Sequence, residues 1–173
     1  MNTAHAKPAI RRFNAAEWPA YRAIRLRALA DSPSAFCSSL ASEQALPDEH
    51  WAGRLARAQD SGLDCPLAAE LDGVLAGLAW AKADGEDPSV VNLFQMWVAP
   101  EARGRGVAAA LLDAAIAWAR GYGARSLRLG VETGNTAAIA LYAKAGFRET
   151  GARAPMQPGG ALLEQTMVLD LAP

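Results

Sequence analysis

Cysteine and histidine are nearly missing from this chain, with two of each in 173 residues. Cys37 and Cys65 cannot build the multi-bridge framework of a small secreted domain, and neither has the Cys or His neighbours of a zinc site. Reduced thiols and no metal are therefore expected. Charge of one sign is lacking as well. A net charge of -1 with 20% charged residues excludes both a solvated disordered chain and the broad basic footprint of a nucleic-acid binder. Long apolar runs are absent too: the nearest, Val107 to Ala119, is too short to span a bilayer and is broken by Asp113. The opening Met1 to Lys7 is short and polar, so no leader and no membrane partner is expected, and the chain reads as cytoplasmic. What is plentiful is hydrophobic residues, at 51%, enough for one core without staples. The expectation is a single domain over 1–173, with residues 1–8 a loose tail and no repeat or linker.

Taken in order, Ile10 to Phe13 reads as a short strand, and Asn14 with Glu17 three residues later forms a capping-box signal. A helix follows to about Ala30, with Trp18, Tyr21, Ile24 and Ala28 on its apolar side and Arg22, Arg25 and Arg27 directed elsewhere. Asp31 to Ser42 reads as a loop because Pro33 and a serine-rich run break the period. A second helix starts at Pro47, carrying Trp51, Leu55 and Ala58 on one face. Leu67 to Leu71 and Val74 to Lys82 are strands joined by the two-residue hairpin signal Asp72-Gly73. Another turn leads to Val90–Val98, completing an antiparallel meander. The next helix buries Val107, Leu111, Ala115 and Trp118, and the alternation of Leu127, Leu129 and Val131 marks a strand parallel to Val90–Val98. Asn135 caps a helix ending near Ala145, with Gly146 at its left-handed end, before a last hairpin from residues 147–153 and 162–169.

The stretch from Leu93 to Ala108 organises the rest. It runs strand, tight turn, helix, and Arg103-Gly104-Arg105-Gly106-Val107-Ala108 strips the side chains away from the start of the helix. Bare amides at a helix N-terminus, together with arginine charge, make an anion site. No Lys-Ser or Lys-Thr pair follows the glycines, which excludes a P-loop, and the three-glycine spacing of a dinucleotide fingerprint is missing.

Those six residues fit Arg-x-x-Gly-x-Ala, which resembles the pyrophosphate loop of the GNAT superfamily of acyl-CoA N-acyltransferases. About thirty residues on, Asn135 to Phe147 is similar to that family's second signature, Asn-x-x-Ala-x-x-Leu-Tyr-x-x-x-Gly-Phe. The resemblance implies an α/β (α+β) fold: a mixed central sheet of about seven strands with about four helices, in the order β-α-α-β-β-β-α-β-α-β-β. It also implies acetyl-CoA as cosubstrate, an N-acetyltransferase activity, and an amine acceptor that is a small molecule or a peptide. Main-chain groups around Met96, Trp97 and Val98 would hold the pantetheine arm. The amides of Arg103, Gly104, Arg105, Gly106, Val107 and Ala108 would hold the pyrophosphate, Asn135 would contact the arm, and Tyr142 would protonate the departing thiolate.

Amine transfer also wants a base. A lysine-like amine is neutral only about once in 2500 molecules at pH 7, a cost of about 4.6 kcal/mol. Relatives often place a Glu on the strand before the loop, whereas this chain offers Asn92 and Gln95, neither of which can act as one. Glu132, Glu43, Glu70 and relayed water stay open as substitutes. That missing carboxylate is the argument for the alternative, a CoA-binding module without useful catalysis. Gln95 and Glu132 are candidates for contacting the acceptor, and Phe36 and Trp51 for shaping its pocket. His5 falls in the tail, and His50 and Cys37 read as non-catalytic. The acidic turn Asp84, Glu86 and Asp87 can attract a cationic substrate, and the terminal hairpin offers an edge for a homodimer.

Overall fold

The computed structural model describes residues 7–171. The tail expected at residues 1–8, and His5 within it, lie outside the described residues apart from Lys7 and Pro8.

Strand β1 (Ala9–Arg12) leads to the predicted capping box. Asn14 Oδ1 accepts from the Ala16 amide at 3.0 Å, and Glu17 Oε2 accepts from the Asn14 amide at 2.9 Å. The box starts a 3-10 turn that feeds α1 (Trp18–Asp31). A short helix, α2 (Leu40–Gln44), stands where the sequence reads as loop, capped by the Ser39 hydroxyl on the Ser42 amide at 3.1 Å. Helix α3 (Asp48–Ser61) buries Trp51, Leu55 and Ala58 as its spacing predicts, and Pro47 sits at the N-cap rather than at the first helical position. Strands β2 (Asp64–Leu71) and β3 (Val74–Ala83) meet in a two-residue turn in which Asp72 and Gly73 have φ of 54° and 77°, the left-handed pair that Asp-Gly supplies. Then come β4 (Val90–Val98), α4 (Val107–Tyr122), β5 (Ser126–Glu132), α5 (Thr136–Lys144), β6 (Arg148–Pro155) and β7 (Leu163–Asp170).

The seven strands form one mixed sheet in the order β1-β2-β3-β4-β5-β7-β6, antiparallel except for the β4–β5 pair. Alternation along β3 separates its two faces. A Cβ on Gly77 would touch Leu111 and Val107 of α4, whereas Trp80 packs against Tyr21 of α1. Helix α4 therefore covers one face, and α1 with α3 covers the other over the first four strands. Beyond them cover thins: the 3-10 turn Pro33–Ala35 rests on β5, and β6 is exposed at every residue.

One residue expected to point away from the core is inside it. Arg25 is 3% exposed and pairs with Glu43 at 2.9 Å, with Arg54 at 3.6 Å from the same carboxylate. Helical spacing places Arg25 one step from Ile24, at the boundary of the apolar stripe, and the buried carboxylate from α2 draws it in.

Candidate active site

Strands β4 and β5 pair from Val90 opposite Ser126 to Leu93 opposite Leu129, then part. β4 runs on to Val98 and β5 to Glu132 with no hydrogen-bonded partner between them. The cause lies in β4. Leu78 faces Trp97 and Trp80 faces Phe94, so β4 carries one extra residue, and Gln95 takes it up in a left-handed conformation with φ of 58°. The Tyr21 hydroxyl donates to Gln95 Oε1 at 2.7 Å and fixes the bulge from α1. A non-glycine residue held at positive φ is strained, and bulges of this kind redirect a strand. The result is an open cleft of about 1100 Å³ lined by both parted strands, the loop at Phe36 and Cys37, and the start of α5.

At one end of the cleft stands the predicted anion loop. Gly104 and Gly106 adopt φ of 74° and 79°, and nothing lies within 4 Å of where their Cβ atoms would be. Among the described residues none accepts from the amides of Gly104 to Ala109, and the first helical bond runs from Ala110 to Gly106 at 3.0 Å. The main-chain cradle is thus present, whereas the arginine charge is differently used. Arg103 donates to Asp31 and, through Nε at 3.1 Å, to the Val98 carbonyl, and Arg105 reaches Asp72 at 3.0 Å. Both guanidiniums fasten the loop to its neighbours. Asp31 also accepts from the Ser32 hydroxyl at 2.7 Å and the Trp97 indole at 2.9 Å, tying the end of α1 to the end of β4. Arg103 and Ala108 line the cleft with Met96, Trp97 and Val98; Gly104, Arg105, Gly106 and Val107 do not.

On the facing wall, Asn135 caps α5 through Oδ1 on the Ala138 amide at 3.2 Å, and its side-chain nitrogen has no partner among the described residues. Two turns on, Tyr142 lies with its ring buried against Phe147, centroids 5.7 Å apart. Its hydroxyl finds no partner among the described residues, and burial pushes its pKa up to about 12. It therefore stays protonated throughout the neutral range.

The acceptor residues divide. Phe36, Gln95 and Glu132 line the cleft, and Arg25 stacks over the Phe36 ring at 4.6 Å. Trp51 does not: it is fully buried in the core against Tyr21, so its expected place at the acceptor pocket is corrected. Its interval with Leu55 and Ala58 is that of a core-facing stripe. The candidate bases are engaged elsewhere. Glu43 is enclosed by its arginines, Glu70 pairs with Arg11 at 2.8 Å outside the cleft, and Glu132 caps its own turn on the Gly134 amide at 2.8 Å. Asp84 likewise builds its turn, accepting from the Glu86 and Asp87 amides and from Asn92 Nδ2. Burial, and then the nearby Glu164, push the Cys37 thiol up, so it is exposed but not activated.

A cleft carboxylate that the sequence reading passes over is Glu164 on β7. Its side chain lies across Gly130, where an added Cβ would come within 2.4 Å of Oε2. A glycine inside a strand, between Leu129 and Val131, is the sequence signal that something approaches there. Among the described residues no group of His, Cys, Asp and Glu is placed to hold a metal ion, and no helix is long and apolar enough to cross a membrane.

Comparison with known proteins agrees with this geometry. Residues 18–147 match the acetyltransferase (GNAT) family model. A mycothiol acetyltransferase from Thermobispora bispora is 33% identical over 132 residues, covering 74% of this chain and 42% of that protein. The chain spans less than half the length of the curated relatives it matches. Among solved structures, a ribosomal-protein-alanine N-acetyltransferase from Brucella melitensis superposes with a TM-score of 0.78 at 28% identity, covering 94% of this chain and 99% of its own. An acetyltransferase from Salmonella typhimurium, solved with its cofactor acetyl-CoA, shares the fold with a TM-score of 0.79 at 23% identity, over 97% and 96% of the two chains. Motif, parted strands and family match coincide on the same residues, and the chain belongs to the acetyltransferase (GNAT) family.

Proposed function

We propose that this acetyltransferase draws on acetyl-CoA and passes the acetyl group directly to a primary amine of a small molecule or peptide. The observation that carries the reading is the parting of β4 from β5, which leaves a free strand edge leading to a row of unpartnered amides. A cosubstrate with amides along its arm and a diphosphate at one end complements both features. The nitrogen acceptor is supported by the Brucella relative, an N-acetyltransferase acting on an alanine of a ribosomal protein. Similarity to the mycothiol enzymes covers less than half their length, so it supports acetyl transfer and leaves the acceptor at the level of a primary amine.

Of the amides expected to hold the pyrophosphate, Arg103 to Ala108, that of Arg103 donates to the Pro100 carbonyl at 3.3 Å, so Gly104 to Ala108 would hold it, and the main chain of Met96, Trp97 and Val98 would hold the arm. The Val98 carbonyl already accepts from Arg103. The Asn135 side-chain nitrogen would contact the arm from the start of α5. Acetyl-CoA supplies an activated thioester, and the chain's own groups do the rest. A β4 amide near Trp97 or Val98 donates to the carbonyl oxygen as charge builds on it. Tyr142 assists the leaving sulfur. Full transfer from a phenol near 12 to a thiolate of ordinary pKa about 8.5 is uphill by about 5 kcal/mol. The same apolar wall raises the thiolate's basicity, so a hydrogen bond that tightens as the bond breaks is the economical role.

An assay of free thiol release over a panel of amines, peptides and aminoglycosides should show turnover. Tyr142→Phe should cut kcat by about 10²-fold or more while leaving acetyl-CoA affinity within a few-fold. Binding of acetyl-CoA with no turnover of any amine would replace this reading with a CoA-binding module.

A further inference from the structure

Direct transfer to an amine leaves one position unfilled, the group that takes the acceptor's proton. Every carboxylate expected for it is committed elsewhere: Glu43 to Arg25 and Arg54, Glu70 to Arg11, and Glu132 to the Gly134 amide. Glu43 and Glu132 also line the cleft, but Glu164 is the cleft glutamate whose carboxylate neither pairs with an arginine nor caps a turn among the described residues, and it is partly exposed there. Its carboxylate lies over Gly130, the first β5 residue after pairing with β4 ends at Leu129, which is the apex of the parting. The opposed faces are the right ones. Glu164 stands opposite Glu132 and Thr166 opposite Gly130, on the sheet face overhung by the loop that carries Phe36 and Cys37. Among the described residues the charged or titratable groups on its side are Cys37 from that loop, 3.9 Å from Oε2, Glu132 from β5, and Arg128, which shares the Gly130 face of β5 and lines the cleft without an ion pair to Glu164, while its β6 neighbour in register is Ala154. Among the described residues no cation pairs with it, so its carboxylate can serve the acceptor.

We propose that Glu164 is the general base of this enzyme, placed over the apex by the absence of a side chain at Gly130. The proposal rests on the direct-transfer reading above. An acceptor arriving as an ammonium gives one proton to the Glu164 carboxylate, and the freed nitrogen lone pair attacks the thioester carbon. The C–N bond forms and the C–S bond breaks, with the sulfur leaving as a thiol on the Tyr142 proton. The second proton lost from nitrogen restores Tyr142, and Glu164 releases its proton to cleft water. The sum is ammonium plus thioester giving amide, thiol and one proton.

The test is Glu164→Gln in the full chain, with acetyl-CoA binding measured by calorimetry and kinetics on any amine that the wild type acetylates. Expected are an unchanged acetyl-CoA Kd and a loss in kcat of about 10²-fold to 10⁴-fold, the span of general-base catalysis. The profile of kcat/KM should also change shape. It should climb toward the amine's own pKa, about 10.4 for a lysine-like acceptor, because only spontaneous deprotonation remains. A merely structural role would lower the profile without reshaping it, and a rise in KM alone would make Glu164 a binding group; either result overturns the proposal, as does a wild-type rate. Gly130→Ala supplies an independent variant, since its Cβ must displace the carboxylate. It should lower kcat by at least about 10-fold, within the reach of a displaced base, and add nothing to Glu164→Gln in the double variant. A wild-type enzyme that turns over no amine would instead fail the direct-transfer reading, an outcome separate from normal turnover by Glu164→Gln.

Discussion

The two sides of the molecule hold an arginine–carboxylate pair in opposite settings. Arg25 and Glu43 meet at 2.9 Å between α1 and α2, with side chains 4% and 9% exposed; Arg148 and Asp170 meet at 3.2 Å across β6 and β7, 64% and 66% exposed. The first lies in the half covered on both faces, and the second on an edge where every residue of one strand meets solvent. Cover decides what an ion pair is worth. In the covered half the charges have lost their water and depend on each other, whereas on the edge water serves each nearly as well. The cleft opens at the seam, between β4 anchored in the covered half and β5 belonging to the bare one. Its geometry is fixed from the covered side, by Tyr21 on Gln95 and Asp31 on Trp97 and Arg103.

The largest effect that would sharpen this contrast comes from Glu43. Burial alone would raise its carboxyl, and the hydrogen bond and charge of Arg25, with the charge of Arg54, hold it below its ordinary value instead. Glu43→Ala strands Arg25 without a counter-charge and should destabilise the fold by about 3–5 kcal/mol in urea unfolding. Replacing both partners by apolar residues, Arg25→Met with Glu43→Leu, should recover most of that loss, because the cost lies in the uncompensated charge. A single variant losing under about 1 kcal/mol would erase the distinction between the halves.

A smaller effect tests the fastening of the seam. The Asp31 carboxyl is held down to about 2, first by the Ser32 hydroxyl, then by the Trp97 indole and Arg103. A folded pKa below the ordinary 3.8 means that the carboxylate's contribution is complete above about pH 4 and is lost as the pH falls toward 2. Asp31→Asn should therefore be less stable than wild type by about 1–2 kcal/mol at pH 7, the scale of bonds to a charged acceptor reduced by partial exposure. The gap should close between about pH 4 and pH 2. A gap constant over that range would remove Asp31 as a charged anchor.

The contrast also explains what could be read from the chain alone. The elements of the covered half follow from period and turn chemistry, since apolar stripes, the Asn14 box and Asp72-Gly73 are local signals read by local rules. The anion loop was legible for the same reason, as glycine at positions 104 and 106 has a backbone meaning. What escaped depends on partners distant in sequence. Arg25 is buried only because Glu43 arrives from a helix that the serine-rich run hid, although Ser39 three residues before Ser42 was a usable capping signal. Gln95 in a left-handed bulge has no marker in its residue type, and it is held by a hydroxyl 74 residues away. Glu164 needed Gly130 to be read as a space rather than as a weak strand residue. Trp51 was legible as core from its stripe, and family position alone drew it toward the acceptor pocket.

The smallest effect is the one that the bare edge predicts. Arg148 reaches Asp170 with both side chains mostly in water, so the attraction is screened and offset by the ordering of two long side chains. Arg148→Ala should change unfolding free energy by no more than about 0.5 kcal/mol, with any difference fading as salt is raised toward 1 M. Catalysis should also be unmoved, because neither residue lines the cleft. A loss comparable to that of Glu43→Ala would mean that the edge is covered in solution, and the covering surface would then be a second copy pairing along β6. Sedimentation of the wild type beside Arg148→Ala reads this directly: a monomer with a small loss keeps the two halves distinct, and a dimer weakened by the substitution makes the bare half an interface.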